Sequence, residues 1–384
     1  MARSSDPSPP NLYGLDREAL AERIEEHGAK PYHAGQIFRW LYHFRRYDPS
    51  GWTDLPRPLR ARVSEAFRVD PGTIAGLASA RDGTVKFRIA LSGGGTVEAV
   101  SMVQRERVTL CLSSQVGCAL DCDFCLTGRM GLVRHLSPDE IVGQVALIQE
   151  DRKLGGVFNV VFMGMGEPFH NYDQVMAAVR LLADPEGFGL SHQRITVSTS
   201  GLVPGIERLA SEAVRPRLAV SLNATTDATR DRLMPVNRKY PIARLLEACR
   251  AFALATGERF TLEYVLLRGI NDTDADVERL ARIVRGQQAK LNLIPFNPVP
   301  GWLDYQPTPK ARVEAIRDRL LALDVPVSIR WSRGAEARAA CGQLAVGVGP
   351  SHPVGRDDSD RLLVPDRPTE AAEARPPAPA RRKR

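Results

Sequence analysis

The chain has 384 residues, about twice the usual length of one domain, so one large fold with appendages or two modest domains is expected. Its 43% hydrophobic and 25% charged residues are the proportions of a soluble protein with a sizeable core, and no run approaches the ~18 apolar residues of a membrane span. The formal charge of +7 favours an anionic partner, and six cysteines are too few for a disulfide scaffold in a chain of this size.

Met1 to Pro10 is polar and proline-rich, which does not fit a secretory signal, and a cytoplasmic location is expected. Residues 12–68 read as helices. Asp16 is placed to cap one that carries Leu20 and Ile24. A second segment, from His33, presents Ile37, Leu41 and Phe44 at helical spacing, and a third carries Leu59, Val63 and Phe67. Arg39, Arg45 and Arg46 beside Trp40 and Tyr42 suit a nucleic-acid surface as well as they suit a solvated face on a packing module.

Residues 74–103 read as short strands, with alternation from Thr84 to Ile89 and a turn at Gly93-Gly94-Gly95. Beyond them strands are predicted over 108–112, 157–163, 194–199, 217–222, 259–267, 290–295 and 325–330. Helices are predicted over 137–153, 171–183, 242–256, 272–286 and 308–323. In 242–256 the period runs through Ile242, Leu245, Leu246, Cys249 and Phe252, which makes Cys249 a core residue. Repeated strand–helix units imply a parallel sheet, and six or more imply a full or partial barrel with its active site where strands end and loops begin. The last 37 residues, Val348 to Arg384, hold seven prolines, eight basic and six acidic residues without a period, so a disordered tail is expected, with Arg381 to Arg384 as a solvated basic run.

Cys118, Cys122 and Cys125 form a C-x3-C-x2-C triplet just after the first barrel strand, and three thiolates on one tight loop can converge on a single inorganic centre. Zinc held by these three and Cys111 is the alternative, although Cys111 lies inside strand-like Val108 to Leu112, a poor place for a fourth ligand. The spacing favours an iron–sulfur centre and leaves zinc open. Three cysteines leave one iron of a 4Fe–4S cluster without a protein ligand, an open position of the kind that catalytic metal sites keep. Gly164-Met165-Gly166-Glu167-Pro168 ends an apolar strand; its glycines permit close backbone approach, and Glu167 is placed to accept from an ammonium group. Ser198 and Ser221 end the next two strands, where a turn or cap role would also explain them. Glu98 alternates with apolar residues and on its own reads as an exposed strand carboxylate. Cys341 follows the last strand in a small-residue context, Ala339-Ala340-Cys341-Gly342, which suggests a flexible loop. None of the seven histidines stands in a ligand or triad context.

The triplet with Phe124 before its last cysteine resembles the signature of radical S-adenosylmethionine (SAM) enzymes, in which SAM chelates the open iron. Arg105 to Cys118, Phe162 to Pro168, Thr196 to Gly201, Asn292 to Pro298 and Arg338 to Leu344 closely resemble the RlmN/Cfr family of RNA adenosine methyltransferases, and the RlmN branch more than the Cfr branch. The resemblance runs in order over about residues 12–347. It implies an α/β fold, a partial (β/α)6-type TIM barrel over 107–347. An N-terminal helical RNA-binding domain (12–70) and a short β extension (71–106) would precede it, and the disordered tail (348–384) would follow.

It further implies one 4Fe–4S cluster on Cys118, Cys122 and Cys125, with SAM held by Gly166, Glu167, Ser198, Ser221, Leu222, Asn223 and Asn297. Where the best-known members have Ser-Leu-His, this chain has Ser-Leu-Asn at 221–223; Asn keeps a donor and an acceptor but cannot titrate. Adenine C2 is electron-poor, so the chemistry implied is radical and uses SAM twice per turnover. Cys341 first takes a methyl group; a 5′-deoxyadenosyl radical then removes a hydrogen from it, and the methylene radical adds to adenine. Glu98 takes the ring proton, and Cys111 attacks Cys341 in a transient disulfide that frees the product. The implied substrates are an adenosine of 23S rRNA and the adenosine 3′ of the tRNA anticodon. An electron donor such as flavodoxin or ferredoxin and a monomeric enzyme are also implied. A Cfr-like C8 methyltransferase and a zinc-dependent RNA-binding protein are the rival readings.

Overall fold

The structure is a computed structural model that describes residues 9–346 apart from 156, 300, 302 and 303, so the expected tail lies outside the described residues. Helix α1 (Arg17–Glu25) starts where the Asp16 carboxylate accepts the Ala19 N–H at 2.9 Å, and it buries Leu20 and Ile24. Helix α2 (Pro31–Phe38) runs into a π-turn over Arg39–His43, closed by the Phe44 N–H on the Arg39 carbonyl at 2.8 Å. That wider turn shifts the register. Ile37 and Leu41 stay buried, but Phe44 is exposed, contrary to its expected place on the packed face. Tyr42 is also buried, its hydroxyl donating to the Leu15 carbonyl at 3.0 Å, so it does not belong to the expected surface. Helix α3 (Arg57–Ala66) packs Leu59 and Val63 inward, with Phe67 buried just past its end.

Strands β1 (Thr73–Ser79), β2 (Val85–Ala90) and β3 (Thr96–Gln104) form an antiparallel meander that continues into β4 (Arg107–Cys111). The chain then leaves this sheet for a hairpin, β5 (Gln115–Cys118) and β6 (Gly131–His135), and returns through α4 (Pro138–Arg152) to β7 (Asn159–Phe162). From there α5 (Tyr172–Ala183) leads to β8 (Ile195–Thr199), and α6 (Val203–Leu209) to β9 (Arg217–Ser221). Helices α7 (Asp227–Leu233) and α8 (Ile242–Thr256) lead to β10 (Phe260–Leu266). Helix α9 (Asp274–Val284) precedes β11 (Ala289–Pro295), and α10 (Lys310–Ala322) precedes β12 (Val327–Ile329). Strands β4 and β7 to β12 pair in parallel and in chain order, and β1 and β12 are the free edges, so the barrel is partial, as expected.

The period-two alternation of the parallel strands separates two environments. Leu110, Val160, Val197, Val220, Leu262 and Leu291 are fully buried in the core. Their neighbours Thr109, Val161, Thr196, Ala219, Thr261 and Asn292 line an internal cavity. The lumen is therefore an open space lined by polar and apolar groups in about equal measure, and not a packed core. Among the described residues no helix is long and apolar enough to cross a membrane.

Candidate active site

The β5–β6 hairpin presents the cysteine loop. Gly117 has φ +77° and lies so close to the opposite strand that a Cβ there would stand 1.8 Å from the Gly131 carbonyl oxygen. Cys118 ends β5 and Cys122 and Cys125 follow on the loop, where the Cys125 N–H donates to the Cys122 carbonyl at 3.0 Å. All three are free thiols. Burial pushes the Cys122 thiol up to about 12 and raises Cys118 as well, with the neighbouring cysteines adding to both shifts. Among the described residues no three His, Cys, Asp or Glu side chains gather tightly enough to hold one metal ion. A 4Fe–4S cluster takes each thiolate on a different iron. Three free cysteines on one loop supply the number of thiolates that leaves one iron of such a cluster open.

Beside this loop the C-terminal ends of the strands enclose a cavity lined by Cys122, Cys125, Gly166, Glu167, Ser198, Ser221, Asn223, Asn297 and Cys341. Gly166 has φ +99°, and a Cβ there would collide with the Gln115 side chain at 2.5 Å. Glu167 is buried, and its two carboxylate oxygens accept the Phe169 N–H at 3.0 Å and the Ser200 N–H at 2.7 Å. Burial holds this carboxyl above its ordinary range. The Ser198 hydroxyl donates to Glu263 at 3.2 Å. Asn223 has φ +54°; its Oδ1 accepts the Val265 N–H at 2.8 Å, so its side chain fastens β10 as well as lining the cavity. Leu222 is fully buried and does not line this cavity; its N–H donates to the Glu263 carbonyl at 2.9 Å.

Cys341 lies where this cavity meets the larger one in the lumen, of about 1180 Å³, and lines both. Cys111 lines the larger one. The segment around Cys341 is tethered by hydrogen bonds. Asn297 Nδ2 donates to the Cys341 carbonyl at 3.4 Å, the Leu126 N–H to the Gly342 carbonyl at 2.8 Å, and the Ala345 N–H to Glu98 at 3.1 Å. Glu98 is buried, not exposed, and ion-paired to Lys86 at 2.9 Å; it touches the Cys341 segment without lining either cavity.

Three positioning residues were not assigned a role from the sequence, although Gln115 lies within the Arg105 to Cys118 motif. Arg230 on α7 is fully buried, and its guanidinium donates to the carbonyls of Ser200 at 2.7 Å, Ser221 at 3.0 Å and Leu222 at 3.0 Å, binding the ends of β8 and β9 together. Gln115 accepts the Glu167 N–H at 2.7 Å. Arg330 stands 3.4 Å from Glu263 and beside both lumen thiols. Burial raises Cys341 and pushes Cys111 up to about 12, while the Arg330 cation opposes both shifts.

A partial barrel with a three-cysteine loop at the C-terminal ends of its strands defines the class, a radical SAM enzyme. Residues 112–282 match the family model of the Radical SAM superfamily, and residues 10–69 match that of the Ribosomal RNA large subunit methyltransferase N-terminal domain. The Dual-specificity RNA methyltransferase RlmN of Anaeromyxobacter dehalogenans (strain 2CP-C) is 48% identical over 351 residues, covering 90% of this chain and 94% of that protein. The protein of the same name from Geobacter sulfurreducens is 46% identical over 334 residues, covering 87% and 91%. A crystal structure of a radical SAM methyltransferase from Sphaerobacter thermophilus superposes with a TM-score of 0.83 at 44% identity, over 88% of this chain and 99% of that one. The chain belongs to the RlmN family.

Proposed function

We propose that the protein methylates C2 of an adenosine in 23S rRNA and of the adenosine 3′ of the tRNA anticodon, with the methyl group carried on Cys341. The observation that supports this best is the place of Cys341 at the junction of two cavities. A residue that takes a methyl group from one molecule and passes it to another must face both, and the tethered segment keeps the thiol there without a long swing.

Cys118, Cys122 and Cys125 would hold a 4Fe–4S cluster, and Gly166, Glu167, Ser198, Ser221, Asn223 and Asn297 would hold SAM, two molecules per turnover. Leu222 would contribute only backbone. When bound, cluster and SAM supply the methyl donor and the one-electron chemistry that adenine C2 requires. Glu167 offers its carboxylate to the SAM amino group, and that cation offsets the burial cost of the carboxylate. Arg330 favours the thiolate of Cys341, the form that displaces a methyl group from a sulfonium. Cys111, in the same cavity, is the thiol that resolves Cys341 as a transient disulfide; all six cysteines are free in the structure. Glu98 is the base for the ring proton, which requires its ion pair with Lys86 to open as RNA arrives. Residues 12–70 act as an accessory RNA-binding domain, 71–106 as the β extension that holds the Cys341 segment, and flavodoxin or ferredoxin supplies electrons.

Anaerobic purification followed by methyl mapping tests this. A brown protein with iron and sulfide in cluster stoichiometry, and a product methylated at adenine C2, is expected. A product methylated at C8 would replace this reading with a Cfr-like one, and a colourless zinc protein would remove it.

A further inference from the structure

The larger cavity reaches the surface at the N-terminal ends of the parallel strands, where several of its lining residues are exposed. From Cys341 and Cys111 it runs along the lumen to the N-terminal ends of the parallel strands, where Arg107, Arg194, Arg217 and Lys290 line it and stand exposed. Each lies within a residue or two of a strand start, in the register whose later members line the lumen: Arg194 precedes Thr196, and Arg217 precedes Ala219. Among the described residues none of these four cations is in an ion pair. The acidic residues lining the same cavity are engaged: Asp82 accepts the N–H groups of Thr84 at 3.0 Å and Gly334 at 2.9 Å, and Glu263 pairs with Arg330. Trp331 lines this cavity 44% exposed, with the Lys310 ammonium 5.8 Å from its ring centroid.

Single exposed cations are ordinary, but four of one sign around a deep mouth act together, because low-dielectric walls focus their field on what enters. The volume of about 1180 Å³ exceeds the roughly 300–1,000 Å³ of ordinary small-molecule sites. It suits an extruded nucleotide with part of the backbone on either side. An unpaired base loses its stacking neighbours, and an exposed indole replaces one of them.

We propose that single-stranded RNA enters the barrel through this mouth, at the end away from the cysteine loop, with Arg107, Arg194, Arg217 and Lys290 on its phosphates and Trp331 stacked on a base beside the one that reaches Cys341. This rests on the RNA methyltransferase reading and adds a route to it. The two reactants then arrive from opposite sides and meet at one thiol, so RNA and SAM need not compete for the same opening.

The test uses the full-length, cluster-loaded protein and two fluorescein-labelled RNAs of equal length, a hairpin with an adenosine-containing unpaired loop and a full duplex. Fluorescence anisotropy is followed over a salt titration, with thermal melting as the check on folding. For R194Q/R217Q the slope of log affinity against log salt for the hairpin should become shallower by about 1.4, the loss of two phosphate contacts. W331A should weaken hairpin binding at least about fivefold, while W331F keeps most of it because a phenyl ring still stacks. The wild-type protein should prefer the hairpin. An unchanged slope in R194Q/R217Q together with W331A binding within about twofold of wild type overturns the proposal, even if the wild type methylates RNA normally. A wild-type protein that neither binds nor methylates either RNA overturns the RNA reading itself, and the route falls with it.

Discussion

The Thr127 hydroxyl donates to the carbonyl of Leu344 at 2.6 Å, a buried bond that joins the cysteine loop to the segment of Cys341. With the bond from Leu126 to Gly342 it makes the cysteine-loop side of the barrel and the segment of Cys341 one structural unit. Replacing Thr127 with Val keeps the shape and leaves a buried carbonyl without its donor, at a cost of about 1–3 kcal/mol. The melting temperature of T127V should fall by several degrees, at about 2–4 °C per kcal/mol for a chain of this order of size. SAM-dependent methylation of Cys341 should slow with it. Unchanged values of both would show that the two loops are positioned independently.

Removing Arg330 takes away the cation that opposes the burial shift on Cys341. R330Q should therefore raise the thiol pKa, and methylation of Cys341 at neutral pH should slow by about tenfold for each unit of that rise. Its pH–rate profile should move to higher pH, which a merely structural defect would not produce.

Glu167 carries a pH signature of its own. Its folded-state pKa lies above the ordinary 4.5 because of burial. A carboxyl shifted in this direction favours folding fully below its unfolded value, and that contribution is lost as pH rises through the folded value. In cofactor-free protein, melting of wild type and E167Q followed from about pH 4 to 8 should therefore show a gap that moves in favour of E167Q as pH rises. A gap independent of pH would mean that the backbone N–H donors on the carboxylate already offset its burial.

The N-terminal arginines give a weaker expectation than their sequence context suggested. Arg39 stands 3.9 Å from Glu186, Arg45 donates to the Leu154 carbonyl at 3.5 Å, and Tyr42 is buried. R39E/R45E/R46E should weaken RNA binding and flatten its salt dependence, with Cys341 methylation as before. Normal RNA binding in the triple variant would make these helices a packing module.

What was legible in the sequence was the periodic part. Strands β7 to β11 and helices α4, α5, α8, α9 and α10 lie within a few residues of their expected ranges, because each buries a regular apolar face against its neighbours. The short elements were not seen: α6 and α7 have seven residues each, and β5 and β6 have four and five, too few to display a period. The cysteine triplet and the Gly166-Glu167 turn were visible as local motifs. The roles of Arg230, Gln115 and Arg330 were not, since each acts on backbone or side chains far away in the chain, and an arginine in Thr-Arg-Asp-Arg reads as a solvated helix face. The burial of Glu98 was equally hidden. Its partner Lys86 and the Ala345 N–H come from another strand and from the far end of the described chain.

The most direct measurement is mass spectrometry of the Cys341 peptide after the cluster-loaded protein is incubated with SAM alone, followed by addition of RNA and reductant. The expected result is one methyl group on Cys341 and on no other cysteine, lost as an equal amount of C2-methyladenosine appears in the RNA, with no RNA product from C341A. Methylated RNA from C341A, or a methyl group that never resides on Cys341, would contradict the role given to the thiol at the junction of the two cavities.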